Sequence, residues 1–299
     1  MQRLFHRQFS NSIPRAELWL GTELLEKGGL EDSLEGHLAL RTNLGMDLLF
    51  LPLSEVASFN ASLGYRYFGP DDVAEATKIS DLPVGVIIDG PFEKLVSNEG
   101  LIPVLKDWLK NPRITREKYA KEAAQVDMQI DRSLDTNVGV IVIADDVAGE
   151  KATYLNPEHS KTLFSPFYSQ AVARIREKGV CALYHSCGNI TAILPQLIKW
   201  GFDGLAACQG RSMDLPSLKK EYGSKLAFLA GIDAELLQET DLTPNKERSF
   251  INYVEELAEG GGFILCSSCG LYSSHYLERV IKLYEILDAS IHRNNTSAQ

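Results

Sequence analysis

The stretch ALYHSCGN, residues 182–189, sets His185 and Cys187 two apart at the end of an apolar run, just before a Gly-Asn turn. On an extended strand, side chains i and i+2 project to one face, so the imidazole and the thiol aim at one point while Ser186 faces away. An imidazole nitrogen and a thiolate are both good zinc ligands, but two make a weak site and a third protein ligand is needed. The segment GFILCSSCG, 262–270, offers Cys269, with Cys266 as the near alternative. One neutral histidine, two thiolates and Zn2+ carry no net charge and leave a fourth position open. A substrate thiol entering that position loses its proton yet keeps nucleophilicity towards a soft carbon such as a methyl group, which makes thiol alkylation the natural reaction class. Attack of a metal-bound water on a carbonyl is the competing use of the same metal. The ordinary alternative for H-x-C is a core histidine beside a small buried thiol.

Further polar residues fall at the ends of apolar runs: Asp89, Asp145, Asp146, Gln209 and Asp233. Asp145, Asp146 and Glu150 follow the apolar run 138–144 together. Helix capping or a loop ion pair is the commoner fate of such carboxylates. Asp89, Gln209 and Asp233 are candidate substrate contacts, Asp233 being equally placed to cap the helix after it. Cys181 and Cys208 lie inside strand-like runs and read as core. His159 and His275 open or join helices and read as surface residues, while His6, His37 and His292 carry no signal.

Elements must bring these residues together. Near-continuous apolar runs at 47–53, 84–90, 138–146, 180–188, 204–209, 227–233 and 262–270 suit parallel strands covered on both faces, and Glu17–Gly21 is a candidate first strand. Asn156-Pro157 and Thr243-Pro244 read as an N-cap followed by proline at the first helical position. Phe250, Tyr253, Val254 and Leu257 share one helical face, and 190–200 and 276–291 read as helices too. Eight β/α alternations over roughly 250 residues predict an α/β fold of the (β/α)8 TIM-barrel class. A doubly wound sheet is the runner-up, but no G-x-G-x-x-G follows an early strand. In a barrel the last strand closes against the first, so Cys269 would border the same mouth as His185 and Cys187, on the face where barrel chemistry sits.

Length and composition agree. The 299 residues are 44% hydrophobic and 23% charged, enough for one large core. One domain is expected over residues 1–293, followed by a disordered tail, Asn294–Gln299. A formal net charge of −10 argues against a nucleic-acid backbone or an anionic membrane as the main partner. The opening MQRLFHRQFSNSIPR lacks a leader's apolar core, and five cysteines do not make a disulfide framework, so a cytoplasmic protein with reduced thiols is expected.

The motifs IIDGPFEKL (87–95), DDVAGEKATYLNPEHSKTLFSPFY (145–168), HSCGNITAIL (185–194), GFDGLA (201–206), AGID (230–233) and GGGFILCSSCGL (260–271) resemble the uroporphyrinogen decarboxylase superfamily. Within it, they are most similar to the zinc-dependent methyltransferases that move a methyl group from a corrinoid protein to a thiol such as coenzyme M. The resemblance covers roughly Pro14 to Leu287 and implies the barrel fold. It implies zinc on His185, Cys187 and Cys269, since Cys269-Gly270-Leu271 matches the family's cysteine-glycine-aliphatic segment. It also implies acids beside the metal, here Asp146 or Glu150. Methylcobalamin would arrive on a partner corrinoid protein, because the chain shows no cobalamin module of its own; a homodimer is compatible with the pattern. The decarboxylase branch fits less well. Where it carries an arginine-rich stretch after the first strand, this chain reads LWLGTELLEKGG (18–29), and its second-strand aspartate is replaced by Leu51-Pro52-Leu53-Ser54. Decarboxylation of a polycarboxylate and a catalytically silent ligand-binding barrel remain the alternatives.

Overall fold

The computed structural model describes residues 12–297 apart from Leu63 and Thr240. Most of the opening segment MQRLFHRQFSNSIPR, with His6, therefore lies outside the described residues. Seven parallel strands form the main sheet: β1 (Leu49–Leu53), β4 (Val84–Asp89), β5 (Val140–Ala144), β6 (Cys181–His185), β7 (Gly204–Leu205), β8 (Ala227–Ile232) and β9 (Phe263–Ser267), neighbours in that order. A two-stranded antiparallel hairpin, β2 (Ser58–Asn60) and β3 (Tyr65–Tyr67), lies between β1 and the next helix. Helices follow most strands, as parallel pairing requires.

The apolar runs become strands because both faces are covered: every residue of β1, β5, β6, β8 and β9 is buried. One side chain set packs inside the curled sheet, including Phe50, Ile87, Val142, Leu183, Leu229 and Ile264. The other meets the helices, whose caps stand where the sequence sets them. Asn156 accepts from the His159 N–H at 2.8 Å to start the helix Pro157–Glu177, and Thr243 caps Pro244–Ala258. Phe250, Val254 and Leu257 of that last helix are buried against the sheet. Each such burial contributes about 1.5–3 kcal/mol. No helix among the described residues is long and apolar enough to cross a membrane.

Two runs differ from expectation. Glu17–Gly21 is not a regular strand; isolated bridges at Arg15, Leu20 and Gly21 replace it. The Ala16 N–H donates to the Leu265 carbonyl at 3.1 Å, the Leu265 N–H to the Pro14 carbonyl at 2.8 Å, and the Asp47 N–H to the Arg15 carbonyl at 2.9 Å. The segment thus ties β9 to the start of β1. Its ladder breaks because the Ser267 N–H, which a strand carbonyl would accept, is taken by the Glu17 carboxylate at 3.1 Å. The run 204–209 keeps two strand residues because Ala207 turns to a φ of 52°. At the other end, the helix Ser274–Ser297 runs into the tail set apart at Asn294, and Ala298 and Gln299 lie outside the described residues.

Candidate metal centre

His185 ends β6, and its ring is held on two sides. The Nδ1–H donates to the Ala206 carbonyl at 2.7 Å, which leaves the lone pair of Nε2 facing outward. The Trp19 ring meets the imidazole edge-on, with centroids 4.8 Å apart. Cys187 lies just past the strand end, its Sγ 3.9 Å from His185 Nε2. Ser186, between them, turns the other way: its Oγ accepts from the Val147 N–H at 3.0 Å and so fastens the loop after β5. That loop brings Asp146, whose Oδ1 accepts from the Cys187 N–H at 2.7 Å and stands 3.8 Å from His185 Nε2.

Donor atoms of Asp146, His185 and Cys187 all lie within 4.8 Å of one another, and among the described residues this is the grouping able to hold a metal. Two donors on a tetrahedral zinc at bonds of about 2.0–2.3 Å stand roughly 3.5 Å apart, so the observed separations need only a small contraction. The surroundings fit a cation. Burial first, then the Asp146 charge, pushes the Cys187 thiol up to about 12. Burial and then Glu17 push Cys269 up to about 12. In this acid-rich setting neither thiol ionises near neutrality without a positive partner.

Cys269 falls outside the group of three but borders it, since its charge would bear on Cys187. Gly270 after it has a φ of +77°, and a Cβ there would stand 2.8 Å from the Tyr272 hydroxyl and 2.9 Å from the Trp19 Cβ. Only glycine lets those two rings close on the loop. Cys266 is fully buried and donates to the Ser267 carbonyl, while Cys181 and Cys208 are in the core. Gly188, at φ +80°, packs so tightly on the Gly149 carbonyl that a side chain has no room.

The remaining candidates spread around this point. Glu150 is exposed and outside the group. Gln209 Oε1 accepts from the Gly188 N–H at 2.9 Å, bracing the turn that carries Cys187. Asp233 accepts from the Gly210 N–H at 2.9 Å rather than from the helix it precedes. Asp89 accepts from the Tyr67 hydroxyl at 2.9 Å, and burial raises its proton affinity. Asp145 is a structural residue. Fully buried and pushed up to about 8 by burial, it accepts from the Glu93 N–H at 2.6 Å and from the Tyr168 hydroxyl. It thereby caps, from the neighbouring strand, the helix Pro91–Glu99 whose own N-cap is Gly90. A Cβ on Gly90 would collide with it, which explains glycine before proline in IIDGPF.

Several residues carried no sequence signal. Glu17 is completely buried and accepts from the Ser267 N–H and hydroxyl and from the Tyr284 hydroxyl at 3.0 Å; burial still pushes it up to about 7. Trp19, Tyr65, Tyr67 and Tyr272 line the same region, with Tyr65 and Tyr67 delivered by the hairpin.

The family model for uroporphyrinogen decarboxylase (URO-D) matches residues 73–289. The chain belongs to the uroporphyrinogen decarboxylase family. The matched stretch contains Asp146, His185, Cys187 and Cys269 of this URO-D chain, whereas Glu17, Trp19 and the hairpin tyrosines precede it. No curated protein sequence matches the chain. Among solved structures it is similar to a methyltransferase from Methanosarcina mazei, with TM-score 0.71, 16% identity and 95% of each chain covered. It is also similar to a protein assigned as a vitamin-B12 independent methionine synthase from Listeria monocytogenes, with TM-score 0.54 and 12% identity over 95% of this chain and 98% of that one. A sugar phosphate isomerase/epimerase from Parabacteroides distasonis shares the fold at TM-score 0.54 and 14% identity, over 93% and 96%. These likenesses concern the fold.

Proposed function

We propose that this URO-D family member is a zinc-dependent methyltransferase that moves a methyl group between a corrinoid protein and a small thiol. The observation that carries the reading is the convergence of Asp146, His185 and Cys187 donor atoms within 4.8 Å. His185 and Cys187 would hold the ion, with Cys269 as third ligand and Asp146 beside it or completing it. Zinc at such a site favours the deprotonated form of a coordinating thiol. The chain's own residues do the rest. The Ala206 carbonyl fixes the imidazole tautomer, Gln209 and Asp146 hold the Cys187 turn by its backbone N–H groups, and Trp19 shields the imidazole edge from water. The likeness to the Methanosarcina mazei methyltransferase supports the same class. The corrinoid would come on a partner docking over the mouth. On this reading the segment Pro14–Gly21 is the eighth stave of a (β/α)8 barrel, supported by its bonds to Leu265 and Asp47.

Metal analysis of protein prepared with zinc tests the proposal. About one zinc per chain is expected, falling to background in Cys187→Ala and strongly reduced in Cys269→Ala. Protein that folds and retains no zinc would overturn it.

A further inference from the structure

A cavity of about 210 Å3 opens between the helices Pro91–Glu99 and Pro112–Leu134, at the end of β4. Its charged and amide side chains are Asp89, Glu93, Lys94, Asn98, Glu122 and Gln125. Two of them are short of partners. Glu122 is 7% exposed, and its one side-chain bond is a long one from Asn98 Nδ2 at 3.4 Å, so no donor among the described residues meets its second oxygen. A carboxylate buried that deeply ordinarily takes several donors. Lys94 joins no ion pair, and its ammonium makes no hydrogen bond among the described residues, although three carboxylates line the same cavity. An ammonium and a buried carboxylate that share a cavity without closing on each other leave room for a molecule between them.

The size and the charges restrict that molecule. Drug-sized ligands occupy roughly 300 Å3 or more, so this volume suits a smaller metabolite. A simple amine would face the Lys94 ammonium with nothing to offset it, and a simple carboxylate would add a fourth negative group beside Asp89, Glu93 and Glu122. A molecule carrying both charges meets each with its opposite and can form charge-assisted bonds at both ends. We propose that this cavity binds a small zwitterion of the α-amino-acid class, its ammonium on Glu122 and Asp89 and its carboxylate on Lys94 and the Gln125 amide. Asp89 keeps its bond from the Tyr67 hydroxyl, at 2.9 Å on Oδ2. The inference stands apart from the metal reading. The two places are neighbours through Glu93, whose N–H donates at 2.6 Å to Asp145, the residue before Asp146.

Calorimetric titration of the intact protein, with and without a chelator, tests this. The probes are L-alanine, L-serine and L-methionine, each beside its methyl ester, which keeps the ammonium alone, and propionate, which keeps the carboxylate alone. At least one amino acid is expected to bind roughly ten-fold or more tighter than its own ester and than propionate, to the same extent with the chelator present. Lys94→Met is expected to bring that amino acid down to the level of its ester and to leave the ester binding as before or tighter. Glu122→Gln, or Asp89→Asn should that variant fail to fold, is expected to weaken amino acid and ester together. An ester bound as tightly as its amino acid overturns the inference, because the cavity then selects for the ammonium alone. So does the absence of heat from every probe at millimolar concentration, a heat that vanishes with the chelator and so belongs to a metal, or a Lys94→Met protein that keeps the full preference.

Discussion

His185 Nδ1 lies 2.7 Å from the carbonyl oxygen of Ala206, and the next residue, Ala207, is the non-glycine residue that adopts a positive φ among the described residues. The two facts belong together. The left-handed turn at Ala207 ends β7 early and aims the preceding carbonyl across at the imidazole.

Ala207→Val should expose this coupling. A branched side chain is disfavoured at φ 52° and has no space in a fully buried position. Destabilisation of about 2 kcal/mol is expected, with zinc affinity reduced roughly ten-fold as the carbonyl shifts. Urea unfolding and competition against a chelator measure the two separately. A variant that loses stability and holds zinc as before would show that the carbonyl does not position the ligand.

Tyr168→Phe separates Asp145 from the candidate centre. The phenol donates to a fully buried carboxyl, so its removal leaves that group short of a donor and should cost about 1–3 kcal/mol. Zinc content should not change, because Asp145 caps a helix rather than facing the ligand group. Loss of zinc from a variant that is otherwise folded would assign Asp145 to the metal centre after all.

Glu17→Gln should alter the dependence of stability on pH. Burial raises the Glu17 carboxyl from 4.5 to about 7 in spite of its donors. Its proton is held more tightly folded than unfolded. Its contribution is therefore fully present below about pH 4.5 and is lost as pH rises through about 7. The size is on the order of 3 kcal/mol. The wild-type urea midpoint should fall between about pH 5 and pH 8, and the variant should show a shallower fall. Parallel pH profiles for the two proteins would count against this account.

The parallel strands were legible because covering both faces makes the sequence continuously apolar, as VIVIA and FILCS show. The hairpin was not, since Ser58–Asn60 is too short and too exposed to alternate. The first strand was misjudged for a local reason, a buried carboxylate taking a ladder donor. At the centre, His185 and Cys187 announced themselves by an i, i+2 spacing that survives any detail of packing, and Asp146 by its place after an apolar run. Glu17, Trp19 and Tyr272 gave no such sign. Glu17 and Ser267 are 250 residues apart in the chain, and no local pattern encodes a contact of that kind.

The tie between residues 14–21 and the far end of the polypeptide has a bearing on biosynthesis. A ribosome emits Trp19 well before residues 263–272, so the candidate centre cannot be assembled until β9 has emerged. Until β9 emerges, Glu17 stays a hydrated carboxylate and His185 has no indole at its edge. Ligand assembly then waits on the docking of β9, and a nascent chain stalled short of Phe263 would have Asp146, His185 and Cys187 but neither Cys269 nor a finished pocket around them.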